Sequence, residues 1–227
     1  MKTSFGRLLV GAIVCGLILA LAGTAMACVG ARPLSMGGAF VGLADDANAT
    51  YWNPAGLVQL KSPVVTYMRT TTNRDEINYQ DFASIVSPFA GKAAAGVSWV
   101  KNNLVLGGDI DEENWYWASL AYQIDPQTSI GVNVKTIDNS LAGHETETSF
   151  DAALFHKIDD QWTFGLLVQD VNEPKITNET PVVTVIGMTK ALAPGQSAVW
   201  TRNWRPGVAF RPDNKSVVTA EIYDLTD

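Results

Sequence analysis

From Ser62 to the end of the chain, apolar and polar residues alternate with a period of two. Between Thr128 and Ile137, Ile130, Val132 and Val134 share one face, and Ser129, Gly131, Asn133 and Lys135 share the other. Tyr116, Ala118, Leu120, Tyr122 and Ile124 form an apolar row bounded by aromatics. Trp162, Phe164, Leu166 and Val168 alternate with Thr163, Gly165, Leu167 and Gln169. The same rhythm sets Trp204, Val208 and Phe210 against Arg205, Gly207, Ala209 and Arg211. It also sets Val218, Ala220 and Ile222 against Thr219, Glu221 and Tyr223. Side chains of a strand point alternately to opposite faces, so this period predicts strands. About ten are expected, near 63–70, 77–87, 92–101, 114–124, 128–137, 147–157, 161–170, 182–190, 199–211 and 216–223. The separators are turn formers: Asn102-Asn103, Asp125-Pro126, Asp138-Asn139, Asp159-Asp160, Pro194-Gly195 and Pro212-Asp213-Asn214.

Several of these strands run to the roughly 9–11 residues that a tilted strand needs to cross hydrocarbon. Trp115, Trp117, Trp162, Trp204 and Tyr223 sit at strand ends, as in an interfacial aromatic girdle. A soluble sandwich also alternates, but its strands are shorter and its aromatics sit mid-core. The N-terminus favours the membrane. Lys2 and Arg7 precede an apolar run from Leu8 to Ala22, and Ala25-Met26-Ala27 places small residues where signal peptidase needs them. That run is shorter than the roughly 20 residues of a spanning helix, so residues 1–27 read as a cleaved signal peptide. Cys28, directly after the cut, is a candidate for lipidation, which makes a soluble β-rich envelope lipoprotein one alternative.

Removing residues 1–27 takes two basic residues and no acidic ones, leaving 14 Lys+Arg against 23 Asp+Glu, a net −9. Such a balance argues against nucleic acid, whose phosphates require clustered cations. Of the two cysteines only Cys28 remains, so no internal disulfide can form. No later stretch is apolar for 18 residues; if the mature chain enters a membrane, it does so as a barrel, because lipid leaves no backbone group paired by solvent.

Residues 28–60 differ from the rest. Met36 to Ala44 is small and apolar, Asp45-Asp46 follows, and Tyr51-Trp52-Asn53-Pro54-Ala55-Gly56-Leu57 comes next. Pro54 ends any helix near Trp52, so short helical turns broken by Gly and Pro are expected here. The stretch Gly30-Ala31-Arg32-Pro33-Leu34-Ser35-Met36-Gly37-Gly38-Ala39-Phe40-Val41, with Ala44-Asp45-Asp46-Ala47 and the Asn53-Pro54-Ala55 run, resembles the N-terminal signature of the FadL-like outer-membrane proteins, especially their PorV-like branch.

The resemblance implies an antiparallel transmembrane β-barrel of about fourteen strands, with residues 28–60 folded into the lumen as a short helical hatch and 61–227 forming the wall. It implies passage of long-chain fatty acids or other hydrophobic compounds across the bacterial outer membrane. In the PorV-like branch the implied partner is a secreted protein, held for export or surface attachment. The hatch residues are Met36, Gly37, Gly38, Phe40, Asp45, Asp46, Asn53 and Pro54. Gly37 and Gly38 are expected to let the hatch approach the wall, and Pro54 to fix a kink. Ten strands in place of fourteen, with no terminal strand ending in an aromatic, lead to the expectation of a fragment.

Catalytic chemistry finds no motif. His144 and His156 lack the i, i+2 spacing of strand ligands, and no G-x-S-x-G occurs. Asp109-Ile110-Asp111-Glu112-Glu113 lacks calcium-loop spacing and reads as an exposed loop. Neither an enzyme nor a cofactor or metal is expected. Asp45-Asp46 is placed to cap a helix N-terminus. Arg32 and Arg69 are candidates to grip a ligand's carboxylate head group in the lumen, or else to pair with Asp45, Asp46 or Glu76 as structural links.

Overall fold

A computed structural model of the chain describes residues 29–71, 78–106, 109–139, 146–177, 182–185, 188–191, 197–199, 201–223 and 225. The signal-peptide reading of residues 1–27, Cys28, Glu76 and His144 lie outside the described residues.

Nine strands form one antiparallel sheet in which each strand pairs with its neighbour in the chain, save for one excursion. The wall strands are β1 (Val64–Thr71), β2 (Tyr79–Phe89), β3 (Ala93–Leu106), β4 (Asp109–Gln123), β5 (Thr128–Asn139), β6 (Thr146–Lys157) and β7 (Trp162–Gln169). After β7 the chain leaves the wall. β8 (Lys175–Thr177) pairs with β11 (Ser197–Val199), and β9 (Val182–Val185) pairs with β10 (Met188–Ala191). The wall then resumes with β12 (Asn203–Phe210), which pairs with β7, and β13 (Val218–Glu221).

The strand expected at 182–190 is therefore not a wall strand. Val185 pairs with Met188, so Ile186 and Gly187 alone separate two short strands that pair with each other. A two-residue connection carrying Gly is a hairpin signal that the apolar run 182–186 conceals. Two further expectations are corrected. Asn102-Asn103 lies inside β3 rather than in a turn, and residues 109–113 belong to β4 rather than a loop. Their polar side chains pair across the ladder, Lys101 Nζ with Glu112 at 2.7 Å and Asn102 Nδ2 with Glu113 at 3.1 Å, which lets a polar segment remain a strand.

The two ends of the wall differ. At one end the connections are short, at 90–92, 124–127, 158–161 and 211–217. Asp125, Asp159 and Asp213 each accept hydrogen bonds from the backbone N–H groups two and three residues on, at 2.7–2.8 Å. These side chains shape the turns. Held by the Gln127 and Lys215 N–H groups respectively, the Asp125 and Asp213 carboxyls lie below the usual carboxylate range. At the opposite end the connections include 72–78, 140–145 and the excursion at 170–202.

The expected short helical turns are present: α1 (Ala31–Ser35), α2 (Ala49–Trp52) and a 3₁₀ helix (Pro54–Gln59) pack against one face of the sheet, a segment named the hatch after the resemblance. α2 stops at Trp52 as Pro54 dictates. Asn53 is extended, and Pro54 opens the 3₁₀ helix, where its missing N–H has no partner to lose. No helix among the described residues is long and apolar enough to cross a membrane, which says nothing of strands. Among the described residues the outer edges of β1 and β13 carry no strand partner, so the sheet is not closed.

Which face is which follows from burial. Ile130, Val132 and Val134 are 43–49% exposed, whereas Ser129, Asn133 and Lys135 are 0–2% exposed. The row Val65, Ile85, Val97, Ala118, Val134 and Phe150 runs across six strands by register and lies on the outward face. One residue along each strand, the row Thr66, Ser84, Ser98, Trp117, Lys135 and Ser149 faces the hatch. The wall is thus apolar outside, while its inner face mixes polar and charged residues with apolar ones such as Phe82, Val100, Phe155 and Leu167. Trp115 and Trp117 fall on the inward parity of β4 and are buried, not part of a girdle. Trp162 and Trp204 remain on the outward face.

Candidate functional site

The contact between hatch and wall is the candidate site. It is a set of close backbone approaches, buried ion clusters and a chain of aromatic contacts. The approaches fall where wall strands carry inward glycines. A Cβ on Gly165 of β7 would lie 2.1 Å from the Val41 carbonyl oxygen, and one on Gly131 of β5 would lie 2.3 Å from the Ala55 nitrogen. Gly207 of β12 faces Gly42 of the hatch with the same lack of room. Gly37, by contrast, meets nothing within 4 Å; it and Gly38 adopt φ of 67° and 80° and serve the turn after α1. The glycines that admit the hatch are those of the wall, together with Gly42. A glycine inside an alternating strand signals close backbone approach, and that signal was legible at 131, 165 and 207.

Asn53 joins three segments. Its Oδ1 accepts from the Ala55 N–H at 3.1 Å, capping the 3₁₀ helix, and its Nδ2 donates to Val41 O at 2.9 Å and to Leu154 O of β6 at 3.1 Å. Ser129 Oγ donates to Ala55 O at 2.7 Å, and Thr163 Oγ1 donates to Gly42 O at 2.6 Å. These links satisfy hatch carbonyls that no regular ladder reaches.

Two ion clusters sit behind the hatch. Lys135 Nζ lies 2.9 Å from Asp151 and 2.8 Å from Asp170, with Lys135 and Asp151 fully enclosed. Asn133 extends the cluster to the hatch, donating to Thr50 O at 2.9 Å and to Asp151 at 3.1 Å while accepting from Ser119 at 2.7 Å. In the second cluster Arg205 Nε donates to Glu221 at 2.9 Å and Nη1 to Gln169 at 3.2 Å. The other Glu221 oxygen accepts from the Phe40 and Val41 N–H groups, both at 3.0 Å. The Arg205 guanidinium also lies 4.9 Å from the Trp52 ring centre and 4.5 Å from that of Tyr223. Neither cluster was foreseen. Lys135, Asp151, Arg205 and Glu221 stand singly in alternating strands, and only the register brings them together.

Phe40, Trp52, Tyr51, Trp117 and Trp115 form a continuous chain of aromatic contacts from hatch to wall, with ring centres 5.3–6.4 Å apart, edge-to-face at every step but the stacked Trp115–Trp117 pair. Met36 packs partly buried against the same core, and Pro54 is buried beside it.

Arg32 pairs with Asp45 and with Asp46 at 3.0 Å, and Asp45 also meets Arg211 at 3.1 Å. Asp46 does not cap α2 as expected: the cap position is Asn48, whose side chain caps nothing, and Asp46 instead accepts from the Asn48 N–H at 2.8 Å and from Asn48 Nδ2 at 2.7 Å in the turn before the helix. Arg69 is not in the lumen. It shares the outward parity of Val65 and Tyr67 and pairs with Asp81 across β1 and β2 at 2.6 and 2.7 Å. Both arginines expected to grip a head group are thus engaged by the chain's own carboxylates. His156 contacts Thr128 Oγ1 at 3.0 Å. Among the described residues no group of three or more His, Cys, Asp or Glu is arranged to hold a metal.

Two clefts open on either side of the hatch at the short-turn end. One, of about 540 Å³, is bordered by Arg32, Asp45, Arg211 and Lys215; the other, of about 220 Å³, by Val58, Gln59, Ser129 and Phe155.

The fold and site define a class: an antiparallel sheet with an apolar outer face and buried ion clusters on its inner face, packed around a helical N-terminal segment. No family model and no curated protein matches the chain. Among solved structures, it is similar to the crystal structure of a Pseudomonas aeruginosa FadL homologue, with 11% identity over 81% of this chain and 76% of that one, at a TM-score of 0.44. The PorV-like branch finds no support in the comparisons.

Proposed function

We propose that this chain forms the wall and hatch of a bacterial outer-membrane β-barrel that gives hydrophobic small molecules a passive route past the hatch. The observation that carries the reading is the inverted wall: Val65, Ile85, Val97, Val134 and Phe150 lie exposed on one continuous face while Lys135, Asp151 and Arg205 are enclosed. Water outside the wall would make this arrangement costly on both faces. Hydrocarbon outside removes the cost of the apolar face, and the hatch-filled lumen supplies partners for the buried charges. The irregular backbone of residues 29–60 is tolerated at membrane depth because it is enclosed by the wall.

Passage rather than attachment is supported by the hatch. It is held by side-chain links and backbone contacts instead of strand pairing, and clefts flank it at the short-turn end. A plug so held can shift without breaking the sheet. The test uses the full-length protein, with a closed barrel, reconstituted in vesicles with a fluorescent long-chain fatty acid outside. Uptake faster than in empty vesicles is expected, and substituting Asn53 and Pro54 together should change that uptake without preventing insertion. If wild type carries no hydrophobic compound faster than empty vesicles and instead retains a secreted protein on pull-down, the docking role replaces transport.

A further inference from the structure

We infer that the route past the hatch is one-sided: hydrophobic carboxylates leave through the smaller cleft, between the 3₁₀ helix and strands β4 to β6, with the acid head group held by Lys157. The inference rests on the transport reading above and adds the exit site and the head group it takes.

The two clefts at the short-turn end differ in kind. The larger is lined by Asp45, Asp160 and Asp213 as well as by Arg32, Arg211 and Lys215. Its carboxylates compete with any anionic ligand for those cations, and the Asp45–Arg211 pair at 3.1 Å ties hatch to wall at its border. No carboxylate is among the residues lining the smaller cleft, where Lys157 is the one charged group. Val58, Pro126 and Phe155 give this cleft an apolar surface.

Its polarity runs in the order of an amphiphile. Phe155 is buried, and Lys157, two residues on with the same inward parity of β6, is exposed at the strand end. Two residues of strand separate them by about 6.6 Å, so a carboxylate at the Lys157 ammonium lays the first methylenes of its chain against Phe155 and Val58. Among the described residues Lys157 has no ion-pair partner of its own. At about 220 Å³ the cleft is smaller than the roughly 300 Å³ of sites that enclose a whole ligand, as suits a passage that holds one end of a chain.

The hatch is also freer to move on this side. Full burial of the 3₁₀ helix ends at Leu57, and Val58 and Gln59 are half-buried. The Gln59 amide donates to the Leu43 and Ala44 carbonyls, both at 3.0 Å, which ties the end of the helix to the hatch itself and not to the wall. The wall grips the helix at its start, where Ser129 donates to Ala55 O. The last turn can therefore swing from the wall about an anchored first turn, whereas opening the larger cleft must break the Asp45–Arg211 pair.

The experiment uses the full-length protein, with a closed barrel, carrying a single cysteine as Gln127→Cys at the smaller cleft or Asn214→Cys at the larger. Both positions are exposed turn residues. Each variant is modified with a bulky maleimide and reconstituted in vesicles. Uptake of the fluorescent long-chain fatty acid should fall severalfold with the block at 127 and stay unchanged with the block at 214. In detergent, a small environment-sensitive dye at 127 then reports titrations with octanoate and with octanol. Lys157→Gln should weaken octanoate binding about fivefold, the upper end for one exposed ion pair, and leave octanol binding unchanged. Uptake that survives the block at 127, or falls as far with the block at 214, overturns the inference. So does an octanoate affinity that Lys157→Gln leaves unchanged or lowers no more than that for octanol. Unmodified protein that carries the fatty acid no faster than empty vesicles overturns the transport reading itself.

Discussion

Two rows of side chains run side by side across the first six strands, one residue apart. The outer row reads Val65, Ile85, Val97, Ala118, Val134 and Phe150, and the inner row reads Thr66, Ser84, Ser98, Trp117, Lys135 and Ser149. Backbone, strand length and hydrogen-bond ladder are shared, so the difference lies in what each row meets. The inner row meets a structured plug that offers hydrogen-bond partners to some of its strands, as when Ser84 donates to Ala47 O at 3.0 Å, while Ser98 Oγ is buried there with no partner. The outer row makes no such contacts and is apolar throughout. A side-chain period of two makes the register unforgiving, because a slip of one residue would put Lys135 outside and Val134 against the hatch. The contrast shows that the polar residues of the enclosed face are held by specific pairs, whereas the apolar outer face requires only the absence of charge.

The largest effect is expected from the inner row. Lys135→Met leaves Asp151 and Asp170 facing each other without a cation, and removing one partner of a buried ion cluster costs about 3–5 kcal/mol. Urea unfolding from vesicles, followed by tryptophan fluorescence, should show that loss, and adding Asp151→Asn and Asp170→Asn should recover part of it. A Lys135→Met variant as stable as wild type would mean that the cluster is solvated and the lumen open.

An outer-row counterpart comes next. Val132→Arg should cost about 2–4 kcal/mol in vesicles if the site lies near mid-membrane, and much less in a water-soluble reference state. Equal stability of wild type and variant in the bilayer would break the comparison by showing that the outer face is wet.

A smaller change is expected where hatch and wall touch without charge. Gly165→Ala forces a methyl against Val41 O, and overpacking of this kind costs about 1–3 kcal/mol unless the hatch moves. Gly91→Ala, in an open turn, is the control for glycine loss itself, since nothing lies within 4 Å, although its φ of 69° carries its own strain. Faster uptake in Gly165→Ala with little loss of stability would show that the hatch yields before the wall.

The smallest effect belongs to the turns. The Asp125 carboxyl is held below its ordinary range by the Gln127 N–H, so its contribution is present above the unfolded carboxylate value and lost as pH falls through the lower folded value. Asp125→Asn should therefore narrow the stability difference between neutral and acidic pH slightly, as read from thermal melts at the two pH values. An unchanged pH dependence would mean that the turn contributes nothing to folding.

Much of the wall was legible beforehand because the alternation is strict. Ile130, Val132 and Val134 take the outward face, and Ser129, Asn133 and Lys135 the inward one, as their period required. The short helical turns before the strands were legible from Pro54 and from the glycines and small residues around Met36. Trp115 and Trp117 were misplaced because position near a strand end was weighed above parity. Parity puts them with Glu113 and Ser119, facing Tyr51 of the hatch. Arg69 was misplaced for a related reason: its charge suggested a lumen, while its spacing from Val65 and Tyr67 put it outside.

The chain's own pattern of residues determined that it would form long antiparallel strands with one apolar face, preceded by a short helical segment broken at Pro54. These are local properties, set by side-chain period and by the backbone limits of Gly and Pro. Only the tertiary structure decided which glycines admit the hatch, that Lys135 meets Asp151 and Asp170, and that Arg205 reaches the hatch backbone through Glu221. Such pairings depend on register and on the fold of a segment over a hundred residues away, and no local preference encodes a partner at that distance.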